Sequence, residues 1–89
     1  MIERELTIAN RLGLHARATA KLVQLLSGYR CSATLAAKGR EVNAKSIMGV
    51  MLLAAGKGTP LLLRVEGEDE TQAADAVAAL FERLFDEEG

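Results

Sequence analysis

The chain has few aromatic side chains, one cysteine, one histidine and one proline. Its 89 residues include one tyrosine, two phenylalanines and no tryptophan, whereas 49% of them are hydrophobic. A core must therefore be built from aliphatic side chains. The single cysteine, Cys31, excludes an intramolecular disulfide and a cysteine-based metal site. Because Cys31 falls in an alternating strand pattern, we predict that it is an ordinary core residue.

An excess of one charge sign is also missing. Eleven basic and twelve acidic residues leave a net charge of -1, with no aromatic residues interleaved among basic ones, so nucleic-acid binding is not expected. No apolar run approaches membrane length, and the first five residues lack the basic region of a signal peptide. We expect one cytoplasmic domain over residues 1–89, without a membrane partner.

Alternating and helical hydrophobic spacings predict the order strand, helix, strand, strand, helix, strand, helix. The predicted spans are 2–8, 16–27, 31–37, 40–44, 47–55, 59–66 and a last helix whose apolar stripe is Ala73, Val77, Leu80, Phe81 and Leu84. Gly28 is expected to be a left-handed cap, and Asp69 with Gln72 a capping box. Residues 86–88 are expected to fray. This order predicts an α+β fold in which helices cover one face of four mainly antiparallel strands.

The only histidine, His15, lies where a glycine-containing loop ends and a helix begins. The first N–H groups of a helix lack partners within it and the helix dipole is positive there, so an anion is stabilised. The same field favours a neutral, nucleophilic ring. A phosphoryl group transferred to the ring fits best, because the N–H groups and the Arg17 guanidinium could surround its oxygens. We therefore predict that His15 accepts a phosphoryl group and that Arg17 stabilises it.

Other chemical patterns are weaker. Residues 39–46 have the spacing of a nucleotide-binding loop, but Ala44 replaces its second glycine. One histidine and one cysteine leave metal binding to carboxylates, and none are paired at metal spacing around His15. A hydrolytic triad is absent as well. We predict neither a cofactor nor a metal.

Three segments stand at the spacing of a known family. They are Gly13-Leu14-His15-Ala16-Arg17, Asn43-Ala44-Lys45-Ser46-Ile47-Met48-Gly49-Val50-Met51 and Gly67-Glu68-Asp69-Glu70. Over nearly its whole length the chain resembles the HPr family of phosphocarrier proteins. The resemblance implies an open-faced β-sandwich in which His15 accepts phosphate at Nδ1 from phosphorylated Enzyme I, itself charged by phosphoenolpyruvate. It further implies that Arg17 assists and that a IIA protein receives the phosphate.

One departure from the family pattern bears on the branch. Ala18 stands where proline usually follows the arginine, so the first helical turn lacks a ring that pre-sets its backbone. Together with the runs Met51-Leu52-Leu53-Ala54-Ala55 and Phe85-Asp86-Glu87-Glu88, this resembles the nitrogen-related branch more than the sugar-transport branch. The protein would then be a stoichiometric carrier, expected to be a monomer, rather than a turnover enzyme.

The short second helix is apolar on every side. If one face packs on the sheet, the remainder forms an exposed patch near His15 that suits several partners. The predicted docking residues are Ala16, Ala20, Ile47, Met48 and Met51. The alternative is that this helix is buried on all sides.

Ser46 precedes this helix and is predicted to be its N-cap. The resemblance adds a second role, because in some bacteria a dedicated kinase phosphorylates the matching serine. Phosphate at this helix start would be stable yet would place charge within the docking patch.

Other functions stay open at this point. The chain could be a sugar-transport HPr or a small-molecule-sensing domain of the ACT type, which shares much of the strand and helix order. It could also be an interaction module whose apolar helix binds a partner without a covalent step.

Overall fold

The computed structural model describes residues 1–87 of the chain. The chain forms four strands and three helices, and a short turn of 3-10 type follows them. They are β1 (Ile2–Thr7), α1 (Ala16–Ser27), β2 (Ser32–Ala37), β3 (Arg40–Asn43), α2 (Ile47–Leu52), β4 (Pro60–Glu66), α3 (Glu70–Glu82) and the turn Leu84–Asp86. Within the described residues, no helix is long and apolar enough to cross a membrane.

The four strands form one antiparallel sheet in the order β1-β4-β2-β3. Leu63 of β4 pairs with Arg4 of β1 on one side and with Leu35 of β2 on the other. A tight turn at Lys38 and Gly39, both with positive φ, joins β2 to β3 as a hairpin. The α+β class and the antiparallel sheet are therefore confirmed.

The core lies between one face of the sheet and the helices. Alternate residues of β2 and β4 point into it, and one stripe of α1 and of α3 covers them. The fully buried side chains include Leu22, Leu26, Leu35, Leu63, Val65, Val77 and Phe85. Cys31 is also buried, as predicted, and burial together with the nearby Asp69 carboxylate raises the pKa of its thiol. The opposite face of the sheet carries exposed charged residues such as Glu3, Arg64 and Glu66, together with the half-buried Thr34, Ala36 and Leu62.

The predicted ends of the first two helices differ from the structure in two respects. Gly28 has φ -80° rather than a left-handed conformation, because α1 ends in tighter bonds from Gly28 to Leu25 and from Tyr29 to Leu26. The second helix ends at Leu52, before the predicted glycine stop at 56. Ala54 there has φ 48°, and this turn buries the side chains on either side of it.

The expected capping box at α3 is also wrong. Asp69 is the N-cap residue, but its side chain makes no bond to its own helix. Its carboxylate instead accepts hydrogen bonds from the N–H groups of Arg30 and Cys31 before β2. Glu70 supplies the local bond, accepting from the N–H of Gly67 at 3.2 Å.

Candidate functional site

The loop between β1 and α1 is held against the loop before β4. Leu14 donates its N–H to the carbonyl of Ala55 at 2.9 Å, and Gly58 donates to Ile8 at 2.7 Å. Gly13 has φ +67°, and a Cβ there would lie 2.6 Å from the Ala55 oxygen. Only glycine meets both the conformation and the close approach at this point. The loop that positions His15 is therefore held in a defined conformation by these contacts.

Buried Asn10 organises the same loop from within. Its Nδ2 donates to the Gly13 carbonyl at 2.8 Å and to Glu87 Oε1 at 3.0 Å. The backbone carbonyl of Asn10 accepts a hydrogen bond from the Gly13 N–H. Both Nδ2 partners are acceptors, which fixes the orientation of the amide. Asn10 thus ties the loop to the end of the chain.

His15 is the N-cap residue of α1, as predicted. Its backbone is extended, its carbonyl accepts the first helical bond from Thr19, and its side chain does not cap the helix. The N–H groups of Ala16, Arg17 and Ala18 consequently have no partner inside the helix. The imidazole remains 27% exposed and turns toward the end of the chain.

Glu87 reaches the histidine from the other end of the sequence. One carboxylate oxygen bonds to Asn10, and the other contacts Nε2 of His15. Burial opposes charge on this carboxylate, but the hydrogen bonds from Asn10 and His15 outweigh it and lower the pKa of Glu87. The prediction that the tail frays is therefore wrong for Asp86 and Glu87, whereas Glu88 lies outside the described residues.

An open cleft of about 480 Å³ lies beside the imidazole. Its lining residues are Arg11, Leu12, His15, Ala16, Arg17 and Glu87. Among residues 1–87 neither Arg11 nor Arg17 forms an ion pair with a carboxylate within 4.0 Å. Two guanidinium groups that are not neutralised in this way make the cleft suitable for a multiply charged anion.

The second predicted surface lies on α2, which packs against α1. Its exposed apolar side chains, here called the α2 patch, are Ile47, Met48, Met51 and Leu52. Met48 is 79% exposed, and only Val50 of this helix is buried. The alternative that the helix is buried on all sides is therefore wrong. Ala16 is exposed beside the cleft, whereas Ala20 is partly covered.

Ser46 is the N-cap of α2, and this prediction is confirmed. Its Oγ accepts a hydrogen bond from the N–H of Gly49 at 3.0 Å, and the residue is partly exposed. The hydroxyl therefore satisfies the start of the helix while staying within reach of solvent.

Four residues of the site were missed in the sequence. Asn10 and Glu87 have no local signal, because 77 residues separate them. Arg11 and Leu12 could have been found, since they directly precede the Gly13-Leu14-His15 segment, and an arginine in a loop that presents a candidate phosphoryl acceptor is informative.

A family model described as the PTS HPr component phosphorylation site matches residues 2–83. The chain belongs to the HPr family. A phosphocarrier protein HPr of Xylella fastidiosa, strain Temecula1, is 61% identical over 88 residues, which cover 99% of each chain. One of Cupriavidus necator is 51% identical and covers 98% of each.

Solved HPr structures share this fold. The crystal structure of HPr-C-His from Thermoanaerobacter tengcongensis matches with a TM-score of 0.96 at 40% identity, over 100% of both chains. The HPr family therefore replaces the ACT-like alternative. His15, Arg11 and Arg17 lie within the range that the family model covers, whereas Glu87 lies beyond it.

Proposed function

We propose that this member of the HPr family accepts a phosphoryl group on His15 from phosphorylated Enzyme I and passes it to a IIA protein. The observation that carries the proposal is the position of the only histidine at the start of α1, inside a cleft that also holds Arg11 and Arg17. An incoming phosphoryl group would meet a partly exposed ring, unpaired N–H groups and two guanidinium groups. Because the ultimate donor is phosphoenolpyruvate, the proposed function requires a cytoplasmic location.

The chemistry needs position and charge more than a reactive pocket. Phosphoryl transfer passes through a state whose negative charge spreads over three oxygens, and catalysis consists mainly of alignment and electrostatic stabilisation. A lone pair of the imidazole attacks phosphorus while the donor's bond to phosphorus breaks. Arg17, already beside the ring, stabilises the oxygens during this step and during the return transfer. Because the cleft is open, each partner protein can contribute its own residues to the transfer site.

The α2 patch serves both partners in turn under this proposal. Its apolar side chains lie on a helix that packs against α1, whose start carries His15. Exposed Ala16 and partly covered Ala20 add small residues that let a partner surface approach closely. Methionine adapts its shape to different surfaces, which suits a carrier that meets a donor and then an acceptor. We propose that the carrier acts as a monomer, because each transfer complex needs this face free.

We further propose that the carrier belongs to the nitrogen-related branch rather than to sugar transport. The support is Ala18 in the first turn of α1 and the Phe85-Asp86-Glu87-Glu88 ending. Asp86 and Glu87 of this ending fold back to the active-site side of the molecule, where Lys21 and His15 meet them. Rates of phosphorylation by a nitrogen-type and a sugar-type Enzyme I decide the branch. Faster transfer from the sugar-type enzyme would contradict it.

Ser46 is proposed as a regulatory phosphorylation site for a kinase and phosphorylase. Its hydroxyl is partly exposed at the N-terminus of α2, where a phosphate would gain from the helix end. The same phosphate would place negative charge beside Ile47 and Met48, at the edge of the α2 patch.

The principal test is phosphoryl incorporation. The protein is incubated with Enzyme I and phosphoenolpyruvate, and the product is examined for an acid-labile, base-stable phosphate. We expect one phosphate per chain, none in His15→Ala, and release to a IIA protein. Absence of incorporation with both types of Enzyme I would refute the carrier function.

A further inference from the structure

The contact between Glu87 and His15 determines where the ring hydrogen lies. An ionised carboxylate can only accept hydrogen bonds, and Glu87 is ionised at neutral pH because its pKa is lowered. Its partner atom on the imidazole is Nε2. Nε2 must therefore carry hydrogen, which leaves the lone pair of the neutral ring on Nδ1. The contact thus selects one of two tautomers.

Glu87 is placed by a specific backbone conformation. Leu84, Phe85 and Asp86 have φ values of 56°, 54° and 61°, a left-handed run that L residues rarely adopt. The 3-10 type bond from Glu87 N–H to the Leu84 carbonyl closes this turn at 3.0 Å. It reverses the chain after α3 and aims Glu87 at the histidine.

Packing on both sides holds this turn. The Phe85 side chain is fully buried, with its ring centroid 4.8 Å from that of Phe81. Lys21 of α1 donates to the Phe85 carbonyl at 2.9 Å and lies 3.5 Å from the Asp86 carboxylate. An unfavourable conformation held by such contacts is typical of a segment that positions a functional group.

We propose that Glu87 is a positioning residue that holds His15 as the Nε2–H tautomer, directs the phosphoryl group to Nδ1 and balances the charge of the phosphorylated ring. This inference rests on the proposed carrier function. It gives the end of the chain a task in the chemistry that the family motifs do not contain. Asn10 supports it by fixing the second carboxylate oxygen.

The step is balanced without a proton acceptor in the solvent. The Nδ1 lone pair forms the bond to phosphorus as the donor's bond to phosphorus breaks. The electron pair of the broken bond leaves with the donor. Nε2 keeps its hydrogen, so the ring becomes cationic. The Glu87 carboxylate on one side and the phosphoryl oxygens on the other then compensate that charge. The reverse transfer restores the neutral ring.

The test uses a small phosphoryl donor, so that it does not depend on Enzyme I. Wild type, Glu87→Gln and Glu87→Ala are treated with phosphoramidate, whose P–N bond breaks with loss of ammonia. The isomer formed is read from ³¹P and ¹⁵N NMR, which is unambiguous because the chain has one histidine. Glu82→Gln, an exposed change on α3, is the matched control.

We expect only the Nδ1 isomer in wild type and in the control. Glu87→Ala should give a mixture in which the Nε2 isomer is readily detected. Glu87→Gln should lie between them, since an amide can accept from Nε2–H or donate to a bare Nε2. Melting curves for each variant separate this effect from loss of fold, and the isosteric Gln variant keeps the test valid if Ala unfolds the tail.

Two results would overturn the proposal. One is exclusive Nδ1 phosphorylation in both Glu87 variants. The other is faster phosphorylation of Glu87→Ala at an unchanged isomer ratio, which would make the tail a cover for the histidine. A wild-type protein that reacts at Nδ1 with phosphoramidate but takes no phosphate from Enzyme I would instead contradict the carrier function alone.

Discussion

Asp69 Oδ1, just before α3, accepts a hydrogen bond at 2.9 Å from the backbone N–H of Cys31, just before β2. Asp69 Oδ2 accepts a second bond from Arg30 at 2.8 Å. Gly67 approaches the same segment so closely that a Cβ on it would lie 2.7 Å from the Cys31 Cα. The Asp69 carboxylate therefore joins the turn between β4 and α3 to the start of the central strand β2.

Replacing Asp69 should change stability in a pH-dependent way. The bond from the Arg30 N–H outweighs the cost of burial and, with that from Cys31, lowers the pKa of Asp69. Its contribution is therefore fully present above the ordinary Asp pKa, about 3.9, and is lost as pH falls through the lower folded value. We expect Asp69→Ala to melt below wild type at pH 7, and the difference to shrink in strong acid.

The control for Asp69 is Glu68→Gln. Glu68 is exposed, and its carboxylate lies 3.9 Å from a similarly exposed Arg30. Such a pair contributes about 0–1 kcal/mol. Melting curves between pH 2 and pH 7 check both variants. If the melting temperature of Asp69→Ala lies below that of wild type by the same amount at every pH, the negative charge of Asp69 does not contribute to stability.

Local patterns in the sequence predicted much of the fold. The spacing of Leu22 and Leu26 identifies α1, and the alternation of Leu61, Leu63 and Val65 identifies β4, because periodicity reports which side faces a core. The roles of Asp69 and Glu87 could not be predicted in this way. Asp69 has good local N-cap chemistry, yet its carboxylate bonds to residues 38 and 39 positions earlier.

Glu87 shows the same limit at the site. Its contact with His15 spans 72 residues and depends on three successive left-handed residues, none of them glycine. No local preference of those residues predicts such a turn, which is stabilised by burial of Phe85 and by Lys21. The roles of His15 and of the Ser46 cap could be predicted from the sequence, because their chemistry is that of a helix start.

Gly13→Ala should disturb the loop that presents His15. Its φ of +67° is strained for alanine, and the new Cβ would lie 2.6 Å from the Ala55 oxygen. We expect a loss of about 1–3 kcal/mol in the free energy of unfolding, together with slower phosphorylation. Denaturant unfolding measures the first effect and Enzyme I assays the second.

Gly39→Ala separates strain from crowding. Gly39 has a similar φ of +77°, but a Cβ there would meet nothing within 4 Å. It should therefore cost about 1 kcal/mol and leave phosphorylation unchanged. Equal losses at both glycines would show that the contact with Ala55 is unimportant.

Removing either cleft arginine should slow phosphoryl transfer. Arg17 lies two residues after His15 and Arg11 four residues before it, and both line the cleft beside the imidazole, so both guanidinium groups can approach the phosphoryl oxygens. Loss of a charge-assisted hydrogen bond of about 1.5–3 kcal/mol corresponds to roughly a 10- to 100-fold lower rate. We expect Arg17→Ala in that range and Arg11→Ala to be milder.

Arg30→Ala is the control for both, because Arg30 is highly exposed and lies before β2, outside the cleft. Stopped-flow phosphorylation by Enzyme I provides the rates. If the phosphorylation rate of Arg11→Ala equals that of Arg30→Ala, Arg17 is the only one of the two cleft arginines that assists phosphoryl transfer.

A charge placed in the α2 patch should weaken partner binding without unfolding the carrier. Met48 is 79% exposed, so Met48→Asp removes little buried area and should alter stability by no more than about 0.5 kcal/mol. It would desolvate a carboxylate in each transfer complex, and we expect the KM for the carrier in the Enzyme I reaction to rise about tenfold. Gln72→Asp adds the same charge to an exposed position of α3 and should have no effect.

Ser46 offers two substitutions that separate capping from regulation. Ser46→Ala removes the acceptor for the Gly49 N–H and should cost about 0.5–2 kcal/mol of stability while leaving transfer intact. Ser46→Asp keeps a capping oxygen and places a negative charge at the helix start, so the fold should be retained. The charge also lies next to Ile47 in the α2 patch, and we expect slower acceptance of phosphate from Enzyme I. Thermal melts and initial rates on both variants distinguish the two roles, because a rate for Ser46→Asp equal to wild type would refute regulation while leaving the cap in place.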